Sequence, residues 1–306
     1  MISNIGLSAV EGFEFAGIDA GGIKNHIGLL HSKTEECYGV AVYTKSDVKA
    51  APVIISKAND EKTSIKRAIV LNSGNANAFT GEKGLNDAKA SALKVSEILS
   101  IKPEEVYVGS TGVIGREMEL EVILNGIEKA SKELKEGEES AVDFVKAIMT
   151  TDTKVKQASI SFEIDGKTVH IASCVKGAGM LKPDMATMLC VITTDAKISP
   201  EMMSKALSDN VEDTFNCITI DGDTSTNDTI FLLANGLAGN KSIEAEDENY
   251  NIFKSHLREV MEHMAKQVVN DGEGVTKFIT LKVVNTPAKE KAKAVALSIG
   301  NSPLVK

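Results

Sequence analysis

The segment KGAGMLKPDMATMLCVITTD, residues 176–195, decides how this chain folds, because it leads from a glycine-rich loop into an apolar strand. The strand, at 187–195, is nearly all apolar, which is typical of burial on both faces. A Pro-Asp turn and the small residue Ala186 place Thr187 at the mouth of that strand. Self-cutting enzymes carry a Thr, Ser or Cys at such a position, and the α-amine that the cut releases, with a pKa of about 7.7–8.0, acts as the general base. Spacing alone favours an ordinary strand threonine, so both interpretations stay open.

Strand-like and helical patterns alternate along the rest of the chain. Runs rich in β-branched side chains predict strands at 39–44, 51–56, 67–73, 104–110, 217–222, 229–236 and 275–284, and a hairpin at 160–175 around Asp165-Gly166. Helical patterns cover 85–99, 117–131, 141–149, 199–215 and 247–269. Because strands and helices are interleaved, we expect an α/β (α+β) fold with mixed sheets.

One composition change suggests a domain boundary. The polar stretch NTPAKEKAK, residues 285–293, is typical of a linker or an exposed turn. We therefore expect a main domain over 1–285, and we interpret 286–306, which is too short for a domain, as the start of a truncated C-terminal domain.

Charge and composition exclude several classes of protein. Lys and Arg total 34 against 43 Asp and Glu, a net charge of −9 that disfavours nucleic-acid binding without a basic patch. No apolar run reaches the length of a membrane span, and the first residues lack the pattern of a signal peptide. The four cysteines, Cys37, Cys174, Cys190 and Cys217, have long and irregular spacings that disfavour a zinc site or a disulfide framework.

Polar residues cluster in loops, where α/β enzymes place their sites. Besides 176–195, the clusters are NSGNANAFTGEKG (72–84), GSTGVIG (109–115), MTTDTK (149–154), NCITIDGDTSTNDT (216–229) and DGEG (271–274). Consecutive amides in the turn GSTGVIG can form an oxyanion hole. The cluster at 216–229 starts like a calcium loop, but Thr226 and Leu232 stand where that loop needs Gly and Glu. Each cluster taken singly also fits a plain surface or strand-end turn.

Taken together, the clusters resemble one family, the glutamate N-acetyltransferases of arginine biosynthesis, also called ornithine acetyltransferases. The shared motifs, in the family's order, are VKAAPV, LNSGNANA, STGVIG, AIMTTDT, KGAGM, DMATML, DGDTSTNDT and DGEGVTK. The similarity runs from about Gly12 to the last residue. Any one motif is a weak signal, whereas eight at family-like spacing are specific.

The resemblance implies a four-layer α/β/β/α sandwich that cleaves itself between Ala186 and Thr187. The resulting α and β chains are expected to pair into a heterotetramer. Thr187 would attack the acetyl group of N2-acetylornithine and release ornithine, and glutamate would then accept the acetyl group from the acyl-enzyme. Such a ping-pong route needs no metal or cofactor.

The resemblance also implies roles for individual residues. Thr111 and Gly112, of STGVIG, correspond to the oxyanion hole, and substrate contacts are expected from Thr153, Lys176 and Glu273 together with the nucleophile Thr187. A cation such as Lys176 suits the α-carboxylate that both acetyl carriers present. Glu273 suits the cationic end of ornithine.

Some features separate this chain from the family pattern or leave the activity open. Asp184 stands where many members carry Asn, and members continue well past SPLVK with two further substrate-binding residues. Some relatives also use acetyl-CoA as a donor, which the sequence does not decide. The resemblance implies a cytoplasmic, multifunctional enzyme. The alternatives are a self-processing aminopeptidase or amidase of the same fold and an inactive amino-acid-binding fragment.

Overall fold

The computed structural model of the protein describes residues 1–22, 25–182 and 188–306. Its strands are β1 (Phe13–Gly21), β2 (Asn25–Ser32), β3 (Tyr38–Tyr43), β4 (Ala68–Asn75), β5 (Val106–Val113), β6 (Gln157–Ile164), β7 (Lys167–Lys176), β8 (Leu189–Thr194) and β9 (Thr229–Ala234). Its helices are α1 (Ala51–Asp60), α2 (Gly81–Leu99), α3 (Leu120–Lys132), α4 (Glu138–Ile148), α5 (Pro200–Asp213), α6 (Glu248–Asn270) and α7 (Lys289–Gly300). Across these three ranges, no helix is long and apolar enough to cross a membrane.

The strands form two mixed sheets, as the sequence predicts. The first sheet has the order β1-β2-β4-β5, and the second has the order β3-β9-β8-β7-β6. Each contains one parallel pair, β4 with β5 and β8 with β9, while the other neighbours are antiparallel.

The layers form an α/β/β/α sandwich, which confirms the expected fold class. Apolar side chains of α1, α2 and α3 pack on the outer face of the first sheet. Those of α5 and α6 pack on the outer face of the second sheet. The inner faces meet in a third core that α4 shares, where the rings of Tyr107 and Phe231 lie 4.7 Å apart across the two sheets. All six residues of β8 are buried, as expected for a strand covered on both faces.

Local signals in the sequence explain several of these elements. The β6–β7 hairpin turns at Asp165 and Gly166, whose φ angles of 51° and 70° suit a tight hairpin turn. At the start of α5, the Ser199 side chain accepts a hydrogen bond from the Met202 N–H. Asp247 caps α6 in the same way through the N–H of Tyr250.

Three strand predictions are wrong. Residues 51–56 lie in α1, where Pro52 stands in the first turn and Ser56 exchanges two hydrogen bonds with the backbone of Val108. A short apolar run fits either a strand or a buried helix, so its pattern did not decide between them. Residues 217–222 form the end of a 3₁₀ turn and a loop. Residues 275–284 are exposed, and no strand in the described ranges pairs with them.

The predicted linker at 285–293 is only partly a linker, because α7 begins at Lys289. This helix attaches to α5 through charged side chains. Lys289 contacts Asp213, and the Lys293 ammonium lies 2.9 Å from a carboxylate oxygen of Glu212. Such exposed pairs contribute little stability.

Candidate functional site

The ends of β5 and β7 meet where the two sheets face each other. The Lys176 ammonium, on the last residue of β7, donates to the hydroxyl of Thr111 at 2.9 Å. It also donates to the hydroxyl of Thr150, just after α4, at 2.9 Å. Three of the predicted polar clusters therefore converge on one cation.

The end of β5, just after Thr111, requires glycine. Gly112 has φ of +131°, and a Cβ there would lie 2.3 Å from the carbonyl carbon of Gly74. Gly74 and Gly112 are partners in the parallel pairing of β4 and β5, so the two backbones approach closely at the strand ends. Gly112 combines this close approach with a backbone conformation that other residues rarely adopt.

The side chains of three asparagines hold this end of β5 in place. The Asn227 amide donates to the carbonyls of Ala76 and Ser110, at 2.5 and 2.8 Å. The Asn72 carbonyl oxygen accepts from the Ser110 hydroxyl at 2.6 Å, and the Asn75 amide donates to the loop after β5. The amides of the 72–84 cluster thus bind neighbouring backbone, which gives this segment a supporting role.

A buried cation organises the segment after α4. The Lys156 ammonium lies 2.7 Å from Oδ1 of Asp152 and contacts Oδ2 of Asp271, and all three side chains are at most 2 % exposed. Asp271 also accepts the N–H and the hydroxyl of Thr153. Asp152 accepts the N–H of Gly177 at 2.6 Å. The predicted site residue Thr153 is therefore fixed to the end of α6.

The DGEG turn lies against the glycine-rich loop. The Glu273 N–H donates to the carbonyl of Ala178 at 2.7 Å. A Cβ on Gly179 would come within 2.6 Å of a carboxylate oxygen of Glu273, so the glycine leaves room for that side chain. Glu273 itself remains exposed.

Three acidic side chains act on the Lys176 ammonium. Burial lowers the pKa of this ammonium, while Asp152, Asp228 and Glu273 oppose that shift. Burial disfavours the charge on Asp152, but Lys176 and Lys156 outweigh it and hold the pKa of this carboxyl below its usual value. The site thus keeps a cation and an anion side by side, as a ligand with both charges requires.

Asp228 is a buried carboxyl that precedes β9. Burial raises its pKa well above the usual range, against the influence of Lys176. The backbone of Met188 and the side chain of Ser225 also oppose this rise in pKa. Oδ2 of Asp228 has no hydrogen-bond partner within 1–22, 25–182 and 188–306. This carboxyl therefore lies beside the residue that follows Thr187.

Direct contacts link the sequence-predicted residues in two sets: Lys176 donates to Thr111, next to Gly112, and Thr153 donates to Asp271, two residues before Glu273. The predicted cleavage and nucleophile residues, Ala186 and Thr187, lie outside the described residues. Sequence reasoning missed the residues that support the side chains of these two sets, which are the exposed Thr150 and the buried side chains of Asp152, Lys156, Asp228 and Asp271. The adjacent motifs MTTDT, STNDT and DGEG were their only signal.

Comparisons with known proteins place this geometry in a family. The family model of the ArgJ family matches residues 14–306. The chain belongs to the ArgJ family. It is 43 % identical over 298 residues to an arginine biosynthesis bifunctional protein ArgJ of Caldanaerobacter subterraneus, covering 97 % of this chain and 73 % of the relative. It is 44 % identical over 303 residues to a glutamate N-acetyltransferase of Methanocaldococcus jannaschii, with coverages of 98 % and 73 %.

Solved structures agree with the fold. A Mycobacterium tuberculosis ornithine acetyltransferase in complex with ornithine shares 32 % identity and a TM-score of 0.55, over 60 % of this chain and 98 % of that one. An ArgJ protein from Bacillus halodurans matches over 61 % and 98 % at 31 % identity, with a TM-score of 0.55. An aminopeptidase from Ochrobactrum anthropi, an Ntn-hydrolase variant, shares the fold at 11 % identity, with a TM-score of 0.52 and coverages of 88 % and 85 %.

Proposed function

We propose that this ArgJ-family chain transfers an acetyl group from N2-acetylornithine to glutamate through an acyl-enzyme on Thr187. The observation that carries the proposal is the ammonium of Lys176 held beside Thr111, with the Glu273 carboxylate among the charges that act on it. Relatives named for glutamate acetylation and a relative solved with ornithine support the two substrates.

The charged groups suit both amino acids. The α-carboxylate that ornithine and glutamate share would pair with Lys176, since charge-assisted hydrogen bonds are the strong ones. Glu273 would meet the side-chain ammonium of the ornithine donor. The Thr111–Gly112 segment at the end of β5 would donate to the oxygen that becomes negative when the acetyl carbonyl is attacked.

The chemistry divides into two steps. The Thr187 hydroxyl forms an ester with the acetyl carbon, its proton passes through the Thr187 α-amine to the leaving nitrogen, and the amide bond to ornithine breaks. The glutamate amine then attacks this ester, the new amide bond forms as the ester bond to Thr187 breaks, and the proton lost by the amine returns to the Thr187 oxygen. The α-amine acts as base only if the chain is cut before Thr187.

The lengths of the solved relatives support such a cut. Residues 1–186 would make up 61 % of this 306-residue chain. The solved Bacillus halodurans chain matches the same share of this chain, 61 %, and the match covers 98 % of that solved chain. The α chain, 1–186, and the β chain, 187–306, would then pair into a heterotetramer. The division at 285/286 stays a prediction.

A transfer assay tests the proposal. The protein is incubated with N2-acetylornithine and labelled glutamate, or with buffer, and both free ornithine and acetylglutamate are measured. We expect acetylglutamate to form in step with ornithine and little ornithine release in buffer. Ornithine release at the same rate without glutamate would instead indicate the amidase alternative. A parallel reaction with acetyl-CoA tests that donor.

Replacing Lys176 with methionine should weaken both substrates. A lost hydrogen bond to a charged group costs about 1.5–3 kcal/mol, or about 10- to 150-fold in KM. The expected result is a rise in KM for acetylornithine and for glutamate together, measured by steady-state kinetics. Lys167→Met, at the exposed start of β7, is the matched control. A rise for only one substrate would contradict a shared carboxylate site.

A further inference from the structure

We infer that Lys156 positions the amine-binding end of the site and thereby sets the selectivity for donors that carry a cationic side chain. This inference rests on the proposed function and names a residue that does not itself touch the substrate. The buried cluster formed by Asp152, Lys156 and Asp271, here the Lys156 hub, links the segments that carry the substrate contacts.

The hub has little freedom to rearrange. Lys156 is buried between two carboxylates that are themselves 0 % and 2 % exposed. Buried charges are tolerated only in good geometry with their remaining hydrogen bonds satisfied, and removal of one partner leaves the others uncompensated. The backbone of Lys156 is fixed as well, because its carbonyl accepts the N–H of Val175 at 3.1 Å, next to Lys176.

Each carboxylate of the hub uses its other hydrogen bonds on a site segment. Asp152 accepts the N–H of Gly177 at 2.6 Å and the N–H of Thr150 at 3.0 Å, so it holds both sides of Lys176. Asp271 accepts the N–H of Thr153 at 3.1 Å and also its hydroxyl. Lys156 therefore connects the carboxylate-binding side of the site to Thr153.

The second carboxylate is also close in the chain to Glu273. Asp271 is two residues before Glu273, and the intervening Gly272 has its N–H bonded to the end of α6. Glu273 is in turn held against Ala178 and Gly179. A shift of Asp271 would therefore move the Glu273 carboxylate relative to Lys176, and this spacing decides which ligand can satisfy both charges at once.

The proposed cut makes the hub more important. Lys156 precedes the cleavage position and Asp271 follows it. After cleavage, the contact of Lys156 with Asp271 joins two separate polypeptides, so Glu273 depends on noncovalent contacts for its place beside Lys176. The ion pair would then hold together two segments that the uncut backbone connected.

The test compares two donors that differ by one amine. N2-Acetylornithine and N2-acetylnorvaline have the same carbon chain, but norvaline lacks the terminal ammonium. In Lys156→Met we expect kcat/KM for acetylornithine to fall about 10- to 150-fold, the range for a lost hydrogen bond to a charged group, mainly through KM. The kcat/KM for acetylnorvaline should change much less, so the preference for the cationic donor over the uncharged one should largely disappear. The exposed Lys154→Met is the matched control.

Asp271→Asn keeps the test decisive if Lys156→Met does not fold. The amide retains an acceptor for Thr153 but removes the charge that pairs with Lys156, and the same loss of preference is expected. Equal falls for both donors in the folded variants would show a general structural role and overturn the inference. If the wild-type protein transfers acetyl from neither donor, the proposed function is wrong as well. If the wild type is active but both donors fall equally in the variants, only the inference about Lys156 is wrong.

Discussion

Thr187→Ala is expected to leave the chain uncut and to abolish acetyl transfer, because one hydroxyl is proposed to attack first the Ala186 carbonyl and then the substrate acetyl group. On a denaturing gel the wild type should give pieces of roughly 20 and 13 kDa, by residue share of its 32.6 kDa, and the variant one band. N-terminal sequencing of the smaller piece should begin Thr-Met-Leu-Cys.

Conservative variants separate the hydroxyl from the rest of the side chain. Thr187→Ser keeps an oxygen nucleophile and should retain part of both activities, and Thr187→Cys should cut because thiolates are good nucleophiles. If Thr187→Ala is cut at the same position as the wild type, another group starts the cleavage and the assignment is wrong.

Gly112→Ala is expected to lower kcat by about 100- to 1,000-fold, the loss typical of a removed oxyanion-hole donor. The added Cβ would lie 2.3 Å from the backbone carbon of Gly74, at a φ of +131°, so the end of β5 after Thr111 has to move. The measurement is kcat for acetyl transfer, with circular dichroism to confirm the fold.

Gly115→Ala is the matched control for backbone strain. Gly115 also has a positive φ, +77°, but a Cβ there meets nothing within 4 Å. Its cost should be limited to about 1 kcal/mol of stability, with kcat largely kept. If Gly112→Ala keeps kcat at the level of Gly115→Ala, the backbone at Gly112 does not stabilise the oxyanion.

Local signals predicted much of the fold. The Asp165-Gly166 turn and the Ser199-Pro200 start set the β6–β7 hairpin and α5, because both depend on neighbouring residues alone. The run at 51–56 predicts a strand but lies in α1, because a short buried apolar segment fits a helix equally well. The alternating run at 275–284 lacks a paired strand in the described ranges, and a strand depends on a partner that local sequence does not reveal.

The sequence predicts the residues of the candidate site but not the buried residues that hold them in place. Thr111, Lys176 and Glu273 belong to glycine-rich motifs that are weak signals singly but indicate a site when they occur together in the family's order. Lys156 and Asp271 pair across 115 residues, and nothing in either local sequence indicates burial. Charged residues are usually exposed, so only the folded chain reveals a buried pair.

The central claim is a covalent acetyl group on Thr187, and mass spectrometry of protein mixed with acetylornithine alone tests it most directly. We expect the added mass of one acetyl group on the fragment that starts at Thr187, and its loss when glutamate is added. An acetyl group on the 1–186 fragment, or transfer that proceeds without any labelled fragment, would contradict the acyl-enzyme and favour direct attack of glutamate on the donor.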